Sequence, residues 1–423
     1  MKTAVMVLVL AASATGARAQ EEQPEPSPPP GPAPAPVVEK KAPVSFGPGG
    51  VVLESETGDY RLQLRGYAQF DGRFFGGDEG RLALDTFVLR RVRPILRGAV
   101  HKHFEFNITP DFGGGAVVLQ DAFLDVNYSP KARVRVGKFK SPVGLERLQP
   151  ATALAFVERA YPSVLLPIRD VGVQLHGELG GVLAYAVGVF DGAPDGGSVD
   201  LDVNDGKDFA GRLFVTPFAR GTSALRGLGF GLGGTTGVQS GPLPAYRSGG
   251  QVSIVTLVAG ITADGRRTRL SPQLRYERGP LGLMAEYARS EARVLREATG
   301  ERATFSGEAW QAAATFVLTG EPAAYTGVRP GKPFDPARGQ WGALELAGRV
   351  TGLELGGEGV REGLIDPTVS VREAFAWALG LNWHLNRNVK QVVNFERTTF
   401  SGGASRGDRR GENAFFFRTQ FSF

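Results

Sequence analysis

The last nine residues, Phe415–Phe423, read FFFRTQFSF, and this stretch decides the fold. Counted back from Phe423, apolar side chains stand two, six and eight positions earlier, at Phe421, Phe417 and Phe415. Because successive side chains of a strand point to opposite faces, these residues form one aromatic face that runs to the end of the chain. Such a face is typical of the last strand of an outer-membrane β-barrel, where aromatic girdles border the lipid-facing band.

The same period of two recurs upstream, as expected for strands rather than helices. In Glu373–Leu385, aromatic and aliphatic side chains alternate with small and polar ones, and Gln120–Tyr128 sets apolar residues opposite acids and an amide. About sixteen such segments can be counted, each of roughly the nine to eleven residues that a tilted spanning strand needs. The sequence therefore predicts an all-β fold, a transmembrane antiparallel β-barrel of about 16 strands. A soluble β-sandwich or β-helix, whose faces also alternate, is the alternative.

Short turns and longer loops rich in Gly and Asp alternate between these segments, as in outer-membrane barrels. Asn386–Asn388 is one of the short turns. The longer loops are expected at Gly76–Leu82, Asp191–Lys207, Gln239–Gly265, Glu291–Thr304 and Gly356–Val371. Gly320–Gln340 breaks the pattern, because it is long and yet falls on the side of the short turns. An even number of strands places both ends of the barrel on that side, which is then the periplasmic one.

The composition excludes several classes of protein. The 423 residues contain no Cys, which excludes a disulfide scaffold, a Cys-ligated metal and a Cys nucleophile. No apolar run of about 18 residues offers a transmembrane helix. No G-x-S-x-G, H-E-x-x-H or P-loop motif is present, so the sequence predicts no enzyme, no catalytic residues, no cofactor and no nucleic-acid partner. His101 and His103 share a strand face, but lumen side chains are a better interpretation than a metal site, and none is predicted.

The first fifty residues are predicted to be an export signal followed by a linker. Residues 1–19 combine Lys2, a short apolar stretch and an A-x-A site at Ala17–Ala19, which predicts a secretory signal peptide. Residues 20–50 hold ten of the 28 prolines and few core-forming side chains, which predicts an extended periplasmic linker. Residues 51–423 form the predicted barrel domain.

Positive charge is concentrated early in that domain. Arg81–Arg147 contains twelve Lys and Arg against six Asp and Glu, a net charge of +6, while the whole chain stands at +5. Within it, Leu89–Arg97 reads LRRVRPILR. The period of two puts Arg91, Arg93 and Arg97 on one strand face. Arg90 has the opposite parity, which predicts a bulge or a position at the rim.

A second basic strand, Arg133–Lys140, reads RVRVGKFK. Arg133 and Arg135 share one face, whereas Lys138 and Lys140 take the other parity, and a bulge at Gly137 would bring these lysines inward. A cation on the lipid face costs about 2–4 kcal/mol at the membrane midplane, so these cations are expected in the lumen. Cations that line a narrow pore form an anion filter. A solvated, salt-bridged lumen without selectivity is the alternative.

The stretch that follows, residues 141–170, has apolar content without a clean strand period and lies on the side of the long loops. Its sequence is SPVGLERLQPATALAFVERAYPSVLLPIRD. We expect it to fold into the barrel as a constriction loop. An external cap packed on neighbouring loops is the alternative.

Several segments taken together resemble the phosphate-selective porin family. The segments are Phe87–Arg97 (FVLRRVRPILR), Phe104–Gly113, Leu119–Tyr128 (LQDAFLDVNY), Val136–Glu146 (VGKFKSPVGLE), Arg169–Gly172, Ala186–Gly192, Gly265–Arg275 and Trp341–Arg349. The resemblance implies a homotrimer of sixteen-stranded barrels with the third external loop folded inward. It also implies a phosphate site formed by an arginine pair, an aspartate, and basic and hydroxyl groups at the start of the loop. Matched by motif, these are Arg90, Arg91, Asp121, Lys138, Lys140 and Ser141, with Arg147 as a looser match.

The sequence therefore predicts a bacterial outer-membrane porin for passive diffusion of small anions, with phosphate or pyrophosphate favoured. The expected partners are inorganic phosphate or other small anions, outer-membrane lipid and lipopolysaccharide, further copies in a homotrimer, and the barrel-assembly machinery through Phe423. Two alternatives stay open. One is a general, weakly selective porin, and the other is a structural or adhesive barrel whose Pro-rich arm contacts the cell wall.

Overall fold

The computed structural model describes residues 44–76, 83–202, 204–356 and 362–423. The predicted signal peptide and residues 20–43 of the predicted linker lie outside the described residues. Strand structure begins at Val44, which is within the stretch assigned to the linker. No helix among the described residues is long and apolar enough to cross a membrane.

Eighteen strands make up the described fold. They are β1 Val44–Gly47, β2 Gly50–Glu54, β3 Arg61–Gly76, β4 Thr86–Val100, β5 Phe104–Asp111, β6 Val118–Ser129, β7 Ala132–Phe139, β8 Asp170–Leu179, β9 Leu183–Phe190, β10 Asp208–Val215, β11 Gly229–Pro242, β12 Ile261–Arg278, β13 Leu281–Arg296, β14 Glu301–Val317, β15 Ala343–Leu355, β16 Val371–His384, β17 Val389–Gly402 and β18 Glu412–Ser422. Between them lie a helical turn at Leu145–Leu148 and 3-10 turns at Tyr161–Val164, Ala224–Gly227 and Pro336–Arg338.

Strands β3 to β18 form a closed antiparallel barrel of sixteen strands, as the sequence predicts. Each strand pairs with the next along the chain, and β18 returns to pair with β3 from Asn413 opposite Gly76 to Ser422 opposite Tyr67. We call β3–β10 the near wall and β11–β18 the far wall. The end with the connections β4–β5, β6–β7 and β8–β9 is called the turn end, and the other is called the loop end.

The N-terminal hairpin β1–β2 lies against the same edge of β3 that β18 occupies. β18 pairs with β3 as far as Tyr67, and β2 continues along that edge from Leu64 to Arg61. The amide and carbonyl of Phe423 both bond to Gly66, at 3.0 Å each, at the junction. Gly50 begins β2 with φ +88°, and a Cβ there would stand 2.1 Å from the Leu64 carbonyl oxygen. Only glycine allows this approach.

Burial is inverted relative to a soluble protein, because apolar side chains face outward. In β16, Phe375, Trp377, Leu379 and Leu381 are 37–61% exposed, whereas the alternating Ala374, Ala376 and Ala378 are at most 3% exposed. In β18, Phe415 and Phe421 face outward, while Arg418 is buried with Asp71 of β3 and makes two bonds of 2.6 Å to it. This arrangement is that of a barrel whose outside is solvated by lipid.

The shortest strands all lie in the near wall, although β3 and β4 of that wall have 16 and 15 residues. β5, β7, β9 and β10 have 8 residues each. The far-wall strands β12, β13 and β14 have 18, 16 and 17 residues. The predicted long loop at Glu291–Thr304 is wrong, since Arg296 pairs with Glu301 and only residues 297–300 connect β13 to β14. The connection of residues 318–342 is long and lies at the turn end, as predicted.

Candidate functional site

Residues 141–170 lie inside the barrel and are fastened to the far wall. The backbone amides of Leu145 and Glu146 donate to the carboxylate of Glu286 in β13, at 2.6 and 3.1 Å. Further along, Val157 N donates to Asn394 Oδ1 in β17 at 3.1 Å, and Tyr161 N donates to Thr351 Oγ1 in β15 at 3.2 Å. These partners project inward from three far-wall strands, so the segment crosses the lumen rather than capping the barrel from outside.

The loop is also bonded to itself and to the seam between the walls. The buried carboxylate of Glu146 accepts Ala160 N at 2.8 Å and Ser163 Oγ at 3.3 Å, which folds the loop back on itself. Glu158 reaches β3 and β4, where its carboxylate is 2.6 Å from Arg73 and 3.5 Å from Arg90. Although burial opposes it, Arg90 and Arg73 lower the pKa of Glu158 to about 2, so this carboxylate is ionised at neutral pH.

Two cavities lie on the near-wall side of this loop. The loop-end cavity, of about 470 Å³, lies between the loop and strands β3–β6. The turn-end cavity, of about 550 Å³, lies along β6–β10. Asn107, Asp121 and Lys140 line both cavities. The two cavities therefore meet at these three side chains, which we call the junction.

Cations outnumber carboxylates in the lining of both cavities. The loop-end cavity has nine cationic side chains against Asp121 and Glu158, and the turn-end cavity has four against Asp121 and Glu178. In the loop-end cavity they are Arg65, Arg90, Arg91, Arg93, Lys140, Arg147, Arg159, Arg169 and Arg247. In the turn-end cavity they are Arg133, Arg135, Lys140 and Arg212.

The first basic strand brings Arg90, Arg91 and Arg93, but not Arg97, to the loop-end cavity. Gln69 pairs with Arg91 and Phe70 pairs with Leu89, so Arg90 is the extra residue of a β-bulge. Arg90 and Arg91 consequently both line the loop-end cavity.

These arginines differ in their partners. Arg91 donates to Gln69 Oε1 at 2.7 Å, whereas Arg93 pairs with Asp111 at 2.7 Å. Arg97 donates to Gln63 Oε1 at 2.6 Å and lines neither of the two cavities. The bulge therefore turns two consecutive arginines into the lumen.

The second basic strand departs from the prediction at Lys138. The register between β6 and β7 runs without a shift from Arg135 to Lys138. Lys138 therefore shares the outward parity of Val134 and Val136, and it pairs with Asp200 of the β9–β10 loop. The predicted bulge at Gly137 is absent, and the inward placement of Lys138 is wrong.

Lys140 does enter the lumen, because it follows the last residue of β7. Its Nζ donates to the carbonyls of Leu148 and Gln149, at 3.1 and 2.9 Å. Arg133 and Arg135 line the turn-end cavity, where Arg135 pairs with Asp125 at 2.5 Å and covers the Phe123 ring at 4.2 Å.

The remaining predicted positions divide between the cavity and the protein interior. Asp121 lies at the junction and accepts two bonds from Arg169, at 3.0 and 3.2 Å. Arg147 lines the loop-end cavity and donates to Ser163 O. Ser141 is 2% exposed and lines neither of the two cavities. Arg169 lies within a matched motif, and Arg65 alternates with Gln63 and Tyr67 on the polar face of its strand. Nothing in the strand pattern pointed to Arg159, Arg212 or Arg247.

The loop-end cavity carries more positive charge than its acids balance. Within the described ranges, Arg65, Arg91, Lys140, Arg147, Arg159 and Arg247 form no ion pair with a carboxylate. Burial, followed by the positive charges of Arg159 and Arg169, lowers the pKa of Lys140 well below its ordinary value. Burial and Arg159 likewise lower the pKa of Arg147. The loop-end cavity is therefore lined by six cations that no carboxylate pairs with in the part of the chain that the structure describes.

A closed sixteen-stranded barrel with an apolar outer wall, polar cavities and a loop folded into its lumen is the architecture of an outer-membrane porin. The sequence comparison agrees. The chain belongs to the family described as phosphate-selective porin O and P, whose profile matches residues 61–423. The family and the fold place the protein in the bacterial outer membrane and point to a channel rather than to an enzyme.

Solved structures share the fold at low sequence identity. OmpT of Vibrio cholerae is 11% identical with a TM-score of 0.56, covering 88% of this chain and 100% of its own. The outer-membrane channel DcaP of Acinetobacter baumannii is 11% identical with a TM-score of 0.55, covering 88% and 99%. OprB of Pseudomonas putida is 12% identical with a TM-score of 0.52, covering 86% and 94%. No curated protein matches the chain.

Proposed function

We propose that this porin conducts small anions by passive diffusion, with phosphate or pyrophosphate favoured. The observation that carries the proposal is the loop-end cavity, where nine cationic side chains face two carboxylates. Arginine presents a planar fork that matches phosphate oxygens. Arg90 and Arg91 stand side by side at the bulge, and they are therefore the first candidates to hold the anion.

The proposed path runs along the near wall. An anion enters the loop-end cavity, exchanges part of its hydration for Arg90, Arg91 and Arg147, and passes Lys140 at the junction. It then reaches Arg133, Arg135 and Arg212 in the turn-end cavity. Conduction requires binding that is weak enough to let the ion leave. Arg93 contributes less, because Asp111 neutralises it.

The loop of residues 141–170 acts as the constriction in this proposal. Its bonds to β13, β15 and β17 keep it against the far wall, so the open path is confined to the cationic near wall. Asp121 has two roles here: it orients Arg169, and it limits how tightly an anion is held at the junction.

Reversal potential in a planar bilayer tests the anion preference. In a tenfold KCl gradient, a pore that passes only anions gives about 59 mV of the sign expected for chloride. Arg91→Ala and Lys140→Ala should each reduce this potential and weaken the block of current by added phosphate. Arg397→Ala is the matched control, since Arg397 faces outward and bonds Asn413 at 3.0 Å. A wild-type potential near zero would refute the proposal.

A weakly selective general porin is the second candidate. Its support is that several lumen arginines already have carboxylate partners, including Arg93 with Asp111, Arg135 with Asp125 and Arg169 with Asp121. Conductance without a reversal potential or phosphate block would favour this candidate. A barrel that serves only as a structural or adhesive anchor would show no conductance at all.

We further propose a homotrimer whose contacts lie on the near wall. A strand of 8 residues rises about 3.3 Å per residue, and at a tilt of about 45° it spans roughly 19 Å. The apolar band of a barrel is about 25 Å tall, so a neighbouring copy is the natural cover for the short strands β5, β7, β9 and β10. A structure of OmpT of Vibrio cholerae is described as a trimer form, at 12% identity and a TM-score of 0.54. Light scattering in detergent tests the stoichiometry.

Contacts with the membrane and with its assembly pathway complete the proposal. Arg266 and Arg293 are exposed at the loop end of β12 and β13, where phosphorylated lipopolysaccharide would meet them. Binding to lipopolysaccharide vesicles should weaken in Arg266→Glu/Arg293→Glu.

The barrel-assembly machinery would recognise Phe423, and Phe423→Ala should therefore lower the yield of inserted barrel. Signal cleavage after Ala19 would leave Gln20 as the first residue, which intact mass determines.

A further inference from the structure

We infer that Tyr325, in the turn-end connection between β14 and β15, positions the pore cations Lys140 and Arg159 without touching the anion path. The inference rests on the proposed function, because it assigns the groups that hold the anion-binding side chains in place. Tyr325 lines neither the loop-end nor the turn-end cavity. Its effect on an anion would therefore be exerted through other residues.

The connection of residues 318–342 is itself fixed at the turn end. Ala323 N donates to Gly279 O at 2.8 Å, and Phe334 N donates to Leu385 O at 2.6 Å. The Phe334 ring also packs edge-on against Trp383 at 5.1 Å. Between these points the connection brings Tyr325 into the lumen beneath the loop, where the guanidinium of Arg275 covers its ring at 4.7 Å. Tyr325 is therefore held from below before it meets the loop.

Two hydrogen bonds of opposite direction join Tyr325 to the loop. The Tyr325 hydroxyl donates to the carbonyl of Leu145 at 2.5 Å, and Gln149 Nε2 donates to the carbonyl of Tyr325 at 3.0 Å. Leu145 and Gln149 bracket the helical turn Leu145–Leu148. Both ends of this turn are thus fixed to one residue of the turn-end connection.

The same turn holds the two pore cations by its carbonyl groups. Lys140 Nζ donates to Leu148 O and Gln149 O, at 3.1 and 2.9 Å. Arg159 donates from Nε to Glu146 O at 3.1 Å and from Nη2 to Gln149 O at 3.2 Å. Charge-assisted bonds of this kind fix the donor in space. A shift of the turn would therefore displace the ammonium of Lys140 at the junction and the guanidinium of Arg159 in the loop-end cavity together.

Tyr325→Phe is the test, because it removes the hydroxyl and keeps the ring under Arg275. The loss of one hydrogen bond of ordinary strength corresponds to about a fivefold change in an equilibrium, so phosphate block of the current should weaken by about that factor. Single-channel conductance in KCl should be retained. Tyr276→Phe is the matched control, since the Tyr276 hydroxyl donates to Ala224 O at 2.9 Å and Tyr276 lines neither anion cavity.

Gln149→Leu provides a second, independent variant, because it removes the hydrogen bond from Gln149 Nε2 to Tyr325 O but leaves the Gln149 carbonyl. Because both hydrogen bonds act on the same helical turn, the Tyr325→Phe/Gln149→Leu double variant should weaken phosphate block by less than the product of the single effects. A pH profile separates positioning from a general loss of structure. Lys140 faces Asp121 of β6 together with Arg147, Arg159 and Arg169, so looser carbonyl bonds should let it lose its proton at lower pH.

The outcomes distinguish the two proposals. Wild-type channels without anion selectivity would refute the proposed function. If wild-type channels are selective but phosphate blocks Tyr325→Phe and Gln149→Leu as strongly as it blocks Tyr276→Phe, the positioning role of Tyr325 is overturned and the proposed function stands. A weaker block with the pH profile moved to lower pH would support it.

Discussion

Replacing Glu286 by Gln tests how the loop is held inside the barrel. Both carboxylate oxygens of Glu286 accept backbone N–H groups of the loop, from Leu145 at 2.6 Å and from Glu146 at 3.1 Å. The first oxygen also accepts Ser271 Oγ at 3.1 Å. A glutamine keeps one acceptor oxygen but places an NH₂ donor at the other position. One of the two loop N–H groups then faces a donor.

The geometry sets the magnitude. A hydrogen bond to a charged group contributes about 1.5–3 kcal/mol, and a buried donor without an acceptor costs about 1–3 kcal/mol. Glu286 is 4% exposed, so water does not replace the lost contact. The substitution should weaken the attachment of the loop by about 2 kcal/mol. Since each 1.4 kcal/mol is a factor of ten, the population with a detached loop should rise roughly 30-fold.

Single-channel recording measures this population directly. A detached loop widens the path, so Glu286→Gln channels should spend more time in levels above the main conductance. Glu308→Gln is the control, because Glu308 lies on the neighbouring strand, is partly exposed and pairs with Arg289 at 2.7 Å. If the two variants show the same distribution of levels, Glu286 does not hold the loop.

Three further predictions concern charge. Lys140 carries its charge below its lowered pKa and loses it as the pH rises through that value, so anion selectivity should decline with rising pH. Lys140→Arg should preserve the selectivity to higher pH, and reversal potentials across a pH series measure both effects. Asp121→Asn removes the carboxylate partner of Arg169. Because the interaction of two unit charges about 4 Å apart in water is worth about 1 kcal/mol, phosphate should block the current about fivefold more strongly. A weaker block would contradict the limiting role of Asp121. Asp71→Asn leaves the buried Arg418 without its partner, which should destabilise the barrel by about 3–5 kcal/mol; an unchanged urea midpoint in detergent would count against a stabilising pair.

The barrel was predictable because its determinants are local. The period of two and the terminal aromatic face depend on neighbours two residues apart, and they gave the fold class and the strand number. The error at Glu291–Thr304 has a physical cause. β13 and β14 extend beyond the apolar band with outward Arg293 and Arg302, and backbone pairing there needs no apolar side chains. A polar stretch therefore looked like a loop.

The site was less predictable because much of it depends on the path of the loop. Arg90 and Arg91 could be found from parity, since a bulge is a local event. Lys138 was misplaced because glycine permits a bulge but does not require one, and the register runs straight through Gly137. Arg159 could not be found from local pattern. It reaches the cavity only because Glu146 folds the loop back on itself.

The short strands of the near wall bear on how ions approach a trimer. Both cavities lie along the near wall, which also contains the short strands that we assign to contacts between copies. With three copies arranged in this way, the three cationic paths cluster around the symmetry axis instead of standing apart on the rim. The screening length at physiological ionic strength is about 8 Å, so fields from neighbouring pores overlap only where the mouths are this near. Anion capture would then be a collective property of the assembly, and it would depend on salt more steeply for the trimer than for a separated barrel.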